Sequence, residues 1–391
     1  MRIDAHCKAI RQGEEREVPM PRKILYTAST DAHLRSFHLP YLTELVRRGD
    51  AVTAAAAGDG HGLPEGVRFL SVPFTKRMLA PANLRCAEIL ARDIRENRYD
   101  VIVTHTSLAA FFTRLGVMRA GKGGAKVVNT VHGYLFDDDT PLPRRLILLE
   151  AEKLTAPVTD QILVMNGADE VIARKNALCR GSVVMIPGMG VDTSRFAPAV
   201  DAERLEARRA LGIAPEAGVL ICAAEFSERK NQRMLLEAMA LLPGDTVLLL
   251  PGAGALLGRC REKAAAMGLG ERVRFPGQVE DVRPWLRAAD VCVSASRSEG
   301  LPFHVMEAMC CALPCALTDV KGHRDLLSGS GAGLLTPFGD SDAMAEAIKI
   351  MLADPALRAE MGRKGRRYVQ RFSLEAAMPA LLPLLEGQTG E

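Results

Sequence analysis

Short runs of consecutive apolar residues alternate along this chain with longer segments of helical periodicity, and no other feature constrains the fold as strongly. The first half of the chain has such runs at 23–29, 51–57, 68–74, 100–106, 126–132 and 161–166. The second half has them at 219–224, 246–252, 272–277, 291–296 and 314–319. Because the runs are continuous rather than alternating, they predict parallel strands that are buried on both faces. We therefore expect an α/β protein built from repeated βα units.

The repeat is interrupted once, between residues 191 and 199, where glycine and proline are dense. A chain of 391 residues is also longer than one hydrophobic core usually serves. We expect two doubly wound, Rossmann-like domains, 22–195 and 196–372, that face each other across a cleft at the carboxyl ends of their strands. Residues 1–21 are expected to be an N-terminal extension, and residues 373–391 a helix that packs back on the first domain.

Charge and cysteine content argue against several classes of function. The formal net charge is only +3, so the composition does not demand a nucleic-acid partner. The nine cysteines include no C-x-x-C pair, which favours reduced thiols in the cytoplasm over a zinc site or a disulfide framework. No apolar run reaches the roughly 20 residues of a transmembrane helix. The first twenty residues also lack the hydrophobic segment of a secretory signal.

Common cofactors of α/β folds lack their motifs here. The first strand is not followed by G-x-G-x-x-G, and the nearest match, PGAGALLG, has Leu257 where the third glycine belongs. Its Gly252 and Gly254 are expected to form a tight turn between strand and helix. The sequence shows neither an Asp-x-Asp motif nor a histidine cluster, and the three aspartates at 137–139 are expected to be solvated. We therefore expect no cofactor and no bound metal ion.

The stretch SASRSEGLPFHVMEAMCCALPCALTD, residues 294–319, carries two glutamates eight positions apart, Glu299 and Glu307. Pro302 suits the first position of a helix, and Glu307 would lie about one and a half turns inside it. A carboxylate in so apolar a helix needs partners, and sugar hydroxyls are suitable donors. The N–H groups at the start of the helix would suit a phosphate, and they belong to Gly300, Leu301 and Phe303. The alternative is a capping acid at Glu299 and a solvated glutamate at Glu307.

Residues 272–319 resemble the donor-binding half of family 4 glycosyltransferases, a retaining group with the GT-B fold. The two glutamates match the E-x7-E signature of that family. Further similar segments lie at 184–196, 226–239 and 328–352, and in KVVNTVHGYLF and TDQILVMN of the first half. The resemblance covers nearly the whole chain after residue 22, and the chain is similar to bacterial polysaccharide-assembly members of the family. It implies the GT-B fold.

The resemblance implies catalytic roles for three residues. Glu299 would accept hydrogen bonds from the donor sugar, Lys230 would neutralise the diphosphate as the sugar leaves, and His132 would face the sugar across the cleft. For His132 the alternative is a capping role in the turn before Gly133. Because Glu299 lies in a loop, its replacement is predicted to cost little stability. Replacing Glu307, inside the helix, should be destabilising.

The resemblance also implies which groups hold the nucleotide. Glu307 would bind the ribose hydroxyls, and Arg229 would be a second cation at the diphosphate. Ala224 and Glu225 stand where the family commonly has a glycine and an arginine, so Lys230 acting alone is the alternative. Backbone N–H groups of Gly300, Leu301 and Phe303 would lie at the diphosphate. Backbone groups of Gln278 and Val279 would contact the base.

Two segments have open interpretations on the acceptor side. The segment STDAHLRSFHLP, 29–40, replaces the family's glycine-rich loop and leaves the role of Asp31 open. Its side chains His33, Arg35 and His38 would either touch an acceptor phosphate or be solvated. Residues 68–98 carry seven Lys and Arg against three acids, a net +4, with Phe74, Met78 and Leu79 interleaved. This segment would either rest on an anionic membrane or form a solvated helix face.

The expected reaction is retaining transfer of a sugar from a nucleotide diphosphate sugar, with a UDP-sugar favoured over a GDP-sugar. The expected acceptor is a saccharide or lipid-linked saccharide at the inner face of the membrane, in cell-surface polysaccharide synthesis. The leaving phosphate would assist the incoming hydroxyl, so stabilisation of the diphosphate would carry much of the rate. Two alternatives stay open, a nucleotide-sugar epimerase that uses the same cleft and a non-catalytic nucleotide-sugar-binding scaffold.

Overall fold

The computed structural model describes residues 21–75, 80–137 and 140–388. Residues 1–20 of the expected N-terminal extension lie outside this part of the chain. Also outside it are Asp138 and Asp139 of the aspartate run, and four residues of the basic segment, Lys76, Arg77, Met78 and Leu79.

Seven parallel strands form the sheet of the first domain. They are β1 Lys23–Thr30, β2 Ala51–Ala57, β3 Arg68–Ser71, β4 Val101–His105, β5 Lys126–Val131, β6 Gln161–Val164 and β7 Ser182–Met185. Their order is β3-β2-β1-β4-β5-β6-β7. Strands β1, β2 and β4 are buried along most of their length, which explains their continuous apolar sequences. The edge strand β7 is missing from the sequence prediction because it is short and only partly buried.

Helices cover both faces of this sheet: α1 Asp31–Phe37, α2 Leu39–Arg47, α3 Pro81–Asn97, α4 Ser107–Ala120, α5 Leu142–Thr155 and α6 Gly167–Lys175. Within the segment 29–40, expected to be a loop, residues Asp31–Phe37 instead form helix α1. The hydroxyl of Thr30 caps α1 by accepting a hydrogen bond from the N–H of His33 at 3.2 Å. Leu34 then packs into the core, and Pro40 lies in the first turn of α2.

Six parallel strands form the second sheet, in the order β10-β9-β8-β11-β12-β13. They are β8 Val219–Ile221, β9 Val247–Pro251, β10 Val273–Gly277, β11 Val291–Ser294, β12 Cys315–Thr318 and β13 Gly333–Thr336. Its helices are α7 Asp201–Ala210, α8 Gln232–Met239, α9 Leu257–Ala266, α10 Arg283–Ala288, α11 Phe303–Cys310, α12 Lys321–Leu327, α13 Ser341–Ala353 and α14 Pro355–Val369. The predicted class is confirmed, two doubly wound α/β domains. Strand β13 and helices α7, α12 and α14 are additions to the sequence prediction.

The chain passes between the two domains twice, and the two crossings touch. The N–H of Val191 donates to the carbonyl of Phe372 at 2.8 Å, and the N–H of Leu374 donates to the carbonyl of Val191 at 3.0 Å. Helix α15, Leu374–Leu385, follows the second crossing. At its end, Glu386 pairs with Arg22 at 3.2 Å and with Arg48 at 2.9 Å. Both arginines belong to the first domain, so the C-terminal end of α15 is held there.

A buried ion pair joins the domains next to the cleft. The Nζ of Lys321, on α12, donates to the carboxylate of Asp169, on α6, at 2.8 Å and to the carbonyl of Tyr134 at 3.0 Å. Lys321 is 8% exposed and Asp169 is fully buried. The side-chain amide of Asn166 also donates to the carbonyl of Gly300 across the interface at 3.3 Å. The pairing of two desolvated charges fixes the relative position of the elements that carry them.

None of the described helices is both long and apolar enough to cross a lipid bilayer.

Candidate active site

A cavity of about 870 Å³ lies between the domains, at the carboxyl ends of the strands. In the second sheet the strand order reverses between β8 and β11, and such a switch point is where open α/β sheets bind ligands. The first domain contributes residues of α1 and α2, including Phe37. The second domain contributes Gly252, Gly254, Gln278, Val279, Phe303 and Glu307. The size and position of the cavity suit a nucleotide-sized molecule.

Glu307 points into this cavity from α11, Phe303–Cys310. The described chain donates no hydrogen bond to its carboxylate. Burial raises the pKa of Glu307 to about 7, although the positive charge of Arg195 acts to lower it. A carboxylate that is desolvated and unpartnered lacks the hydrogen bonds that would stabilise its charge. Ligand hydroxyl groups would supply them.

Glu299 is buried in an ion-pair network, which argues against the expectation that its replacement costs little stability. It is 6% exposed. One carboxylate oxygen accepts from Lys230 Nζ at 2.7 Å and the other accepts from Arg229 Nη1 at 2.7 Å. Burial acts to raise the pKa of Glu299, but the charges of Lys230 and Arg229 outweigh it and hold the pKa well below the ordinary value. The group carries a net charge of +1, which suits an anionic ligand.

The start of α11 presents unused backbone donors. The N–H groups of Gly300, Leu301 and Phe303 donate to no acceptor among the described residues. A Cβ added to Gly300 would lie 2.2 Å from the carbonyl oxygen of His132, so only glycine allows the two domains to approach here. Pro302 precedes the helix as its N-cap rather than occupying its first position. Free N–H groups at a helix start beside two cations are an arrangement that binds phosphate.

The cavity lining divides the predicted site residues into two groups. Gln278, Val279, Phe303 and Glu307 line the 870 Å³ cavity, whereas the lining does not include Glu299, Lys230 or His132. Lys230 is 7% exposed and His132 is half-buried. Of the residues predicted to hold the nucleotide, the structure therefore brings these four to the cavity, and the three predicted catalytic residues are not part of its lining.

His132 belongs to a group of four histidines, called here the histidine cluster: His33, His38, His105 and His132. His132 Nε2 lies 3.1 Å from His105 Nδ1, and the His33 and His132 ring centroids are 5.3 Å apart. The sequence reading that found no histidine cluster was wrong, because these residues come from three separate βα units. The reading of His33 and His38 as solvated loop residues was also wrong, since His38 is fully buried.

Two glycines of the PGAGALLG segment, Gly252 and Gly254, allow a close approach of two backbone segments. A Cβ added to Gly252 would lie 2.0 Å from the carbonyl oxygen of Ala224, and one added to Gly254 would lie 2.4 Å from that of Phe226. Both have φ near 150°. The close approach of two chain segments therefore requires glycine here, which agrees with the tight turn that the sequence predicts.

Two family profiles match the chain. One, described as Glycosyltransferase Family 4, matches residues 41–195, and the other, Glycosyl transferases group 1, matches residues 203–368. EpsD of Bacillus subtilis (strain 168), which is named as a glycosyltransferase, is 32% identical over 357 residues, covering 90% of this chain and 93% of EpsD. The chain belongs to the family 4 glycosyltransferases. It is accordingly a transferase enzyme, as its sequence predicts.

Other relatives of this family 4 glycosyltransferase have more specific names. An Escherichia coli protein named UDP-Gal:alpha-D-GlcNAc-diphosphoundecaprenol alpha-1,3-galactosyltransferase is 25% identical over 320 residues, covering 80% of this chain and 82% of that protein. The crystal structure of Anabaena HepE in complex with UDP-glucose has a TM-score of 0.76 at 20% identity, over 93% of this chain and 99% of HepE. The GT-B fold is thereby confirmed.

The structure adds two residues to the site of this glycosyltransferase that sequence reasoning missed. His304 is 8% exposed, and its Nδ1 lies 3.5 Å from Lys230 Nζ. Arg195 lines the cavity and is the cation whose charge opposes the raised pKa of Glu307. His304 directly follows Phe303 in the α11 sequence, which was the available signal for it. Arg195 lies far from Glu307 in sequence, so only the fold relates them.

Two further residues have structural roles. The Asp31 carboxylate pairs with Arg35 at 3.1 Å and accepts from the N–H groups of Asp59 and Gly60 at 3.2 and 3.3 Å, which holds the loop after β2. Phe74 is 8% exposed, so it does not face a membrane as the basic segment 68–98 would require.

Proposed function

We propose that this glycosyltransferase moves a sugar, with retention of anomeric configuration, from a nucleotide diphosphate sugar to a hydroxyl group of a saccharide or lipid-linked saccharide. The proposal places the reaction on the cytoplasmic side of the membrane, in cell-surface polysaccharide synthesis. The observation that carries it is the unpartnered Glu307 carboxylate in a cavity of about 870 Å³, beside the cationic group at the start of α11.

The donor assignment follows from the position of each charge. Glu307 would accept hydrogen bonds from the two ribose hydroxyls, with the backbone of Gln278 and Val279 against the base. The diphosphate would then lie at the start of α11, near the free N–H groups of Gly300 and Leu301 and the cations of Lys230 and Arg229. We favour UDP as the nucleotide, since HepE, a protein of the same fold, is described in complex with UDP-glucose.

The mechanism follows from the pairing of Glu299. Both of its carboxylate oxygens accept hydrogen bonds from cations. Burial acts to raise its pKa, but the two positive charges outweigh burial and hold the pKa below the ordinary value. Such a carboxylate is a weak base and a weak nucleophile. We therefore assign it to holding the sugar, with the leaving phosphate deprotonating the acceptor hydroxyl. Lys230 would stabilise the charge that develops on the diphosphate as the sugar bond breaks.

Support for a lipid-linked acceptor comes from helix α5. Leu142, Leu146 and Ile147 are 64%, 48% and 65% exposed, and Arg144 next to them is also exposed. A surface that combines exposed aliphatic side chains with arginine suits the boundary of an anionic membrane. The galactosyltransferase relative is named for an acceptor with a diphosphoundecaprenol group, which agrees with this surface.

A transfer assay tests the proposal. The full-length protein is incubated with a panel of UDP- and GDP-sugars and a polyprenyl-diphosphate-linked monosaccharide, and products are followed by mass spectrometry. We expect acceptor-dependent release of nucleoside diphosphate and a lipid-linked disaccharide, both lost in Lys230→Ala. Interconversion of the nucleotide sugar without acceptor would instead identify an epimerase, and donor binding without turnover would identify a scaffold.

A further inference from the structure

The histidine cluster is built from elements that are distant in sequence and adjacent in the first sheet. His33 lies on α1, His38 follows it, His105 ends β4, and His132 follows β5. Ring centroids are 5.0 Å apart for His33 and His38 and 4.3 Å apart for His38 and His105. Four imidazoles in mutual contact are more than the proposed transfer accounts for, since the family resemblance implies a role for His132 alone.

Several nitrogen atoms of the cluster have no hydrogen-bond partner. The Nε2 atoms of His33, His38 and His105 are buried and receive or donate no hydrogen bond in the described chain. Leaving one buried polar atom unpaired costs about 1–3 kcal/mol, and three such atoms fall in one place. The arrangement would be favourable if a single ligand satisfied more than one of them.

An unpaired ring nitrogen of a neutral imidazole carries a lone pair, and neutral imidazole is the form that binds metal ions.

We propose that His33, His38 and His132 form a binding site for one divalent transition-metal ion of the Zn²⁺ class. One ring nitrogen from each residue lies within 4.8 Å of those of the other two. Three imidazoles with an open fourth position form a set that zinc, cobalt, nickel and copper accept. Mg²⁺ and Ca²⁺ prefer oxygen ligands, so this donor set disfavours them.

The surroundings support this assignment. A Zn–N bond of about 2.1 Å places the nitrogens of a tetrahedral ion about 3.4 Å apart, so binding would draw the three rings together from separations of up to 4.8 Å. The other ring nitrogen of His38, Nδ1, lies 2.8 Å from the hydroxyl of Tyr26. A partner of that kind fixes ring orientation in metal sites and leaves Nε2 free for the ion. Tyr26 is therefore a positioning residue for His38.

Direct metal binding tests the proposal independently of enzymatic activity. Tag-free, full-length protein is stripped with EDTA, dialysed, and titrated with Zn²⁺ against a chromophoric chelator. We expect one tightly bound ion per chain, and Co²⁺ in its place should give the visible absorption of a tetrahedral complex. His33→Ala and His132→Ala should each abolish this stoichiometric binding, and Tyr26→Phe should weaken it by roughly tenfold.

The matched control is His61→Ala, because His61 is an exposed histidine outside the cluster and its loss should leave binding unchanged. Circular dichroism checks the fold, and His33→Gln replaces His33→Ala if the alanine variant does not fold. The proposal is overturned if the wild-type protein binds no ion. It is equally overturned if the His33 and His132 variants bind as tightly as wild type, which would place the ion elsewhere.

Discussion

Replacing Glu307 by glutamine should make the ligand-free protein more stable and a poorer binder of nucleotide. Glutamine keeps the size of the side chain and cannot ionise. The pKa of Glu307 is raised by burial from 4.5 to about 7, so between these values the folded chain keeps a proton that the unfolded chain has released. By linkage, stability falls as pH rises through this window. Below about pH 4.5 the two states are protonated alike and the difference vanishes.

The size of the effect follows from the same pKa. One pKa unit corresponds to about 1.4 kcal/mol, so a change from 4.5 to about 7 sets an upper limit of about 3.5 kcal/mol above neutral pH. Because the carboxylate borders a cavity that water enters, we expect about 1–2 kcal/mol. Glutamine removes this cost.

The assay is urea unfolding of ligand-free wild type, Glu307→Gln and the control Glu280→Gln at about pH 5 and about pH 8, with calorimetric titration of UDP. Glu280 is an exposed acid at the rim of the same cavity, and its replacement should change stability by less than about 0.5 kcal/mol. We expect Glu307→Gln to be more stable than wild type at about pH 8, with a much smaller difference at about pH 5, and to bind UDP more weakly. Equal or lower stability at about pH 8, or undiminished UDP affinity, would refute this reasoning.

Three other outcomes are expected. Lys230→Ala should lower kcat by the equivalent of about 2–4 kcal/mol with a smaller change in donor KM; an unchanged kcat with only a raised KM would make Lys230 a docking residue. Transfer should persist in EDTA, because the charge facing the diphosphate is supplied by Lys230 and Arg229; complete loss that Mg²⁺ or Mn²⁺ restores would contradict this. Lys321→Met should cost about 3 kcal/mol in urea unfolding, because it leaves Asp169 as a buried unpaired charge. Adding Asp169→Asn should recover part of that loss, and additive losses in the double variant would count against a direct pairing.

The sequence predicted the central strands well because burial on both faces leaves a signal that is local. Strands β1, β2 and β4 are continuous apolar runs, and a run needs no knowledge of its neighbours. Edge strands such as β7 and β13 are half-exposed and short, so they carry little of that signal. The segment 29–40 was missed because its polar residues find partners through the fold: Thr30 caps the helix and Asp31 holds the loop after β2.

The surroundings of the two predicted glutamates differ from what their sequence positions suggested. Position in a loop suggested that Glu299 was dispensable for stability, yet it is the buried partner of two cations. Position in an apolar helix suggested that Glu307 contributes to stability, yet it faces the cavity without a partner. Both errors have one cause, because the pairing of a charge depends on residues that are remote in sequence; Lys230 is 69 positions from Glu299. The histidine cluster was invisible for the same reason.

The most direct test of the donor site is a crystal structure of the protein with UDP. We predict that both ribose hydroxyls donate to the Glu307 carboxylate, that the base lies against Gln278 and Val279, and that the diphosphate reaches the N–H groups at the start of α11. Lys230 or Arg229 should turn from Glu299 toward the phosphate oxygens. UDP bound elsewhere, or bound in the cavity with its ribose away from Glu307, would contradict the account.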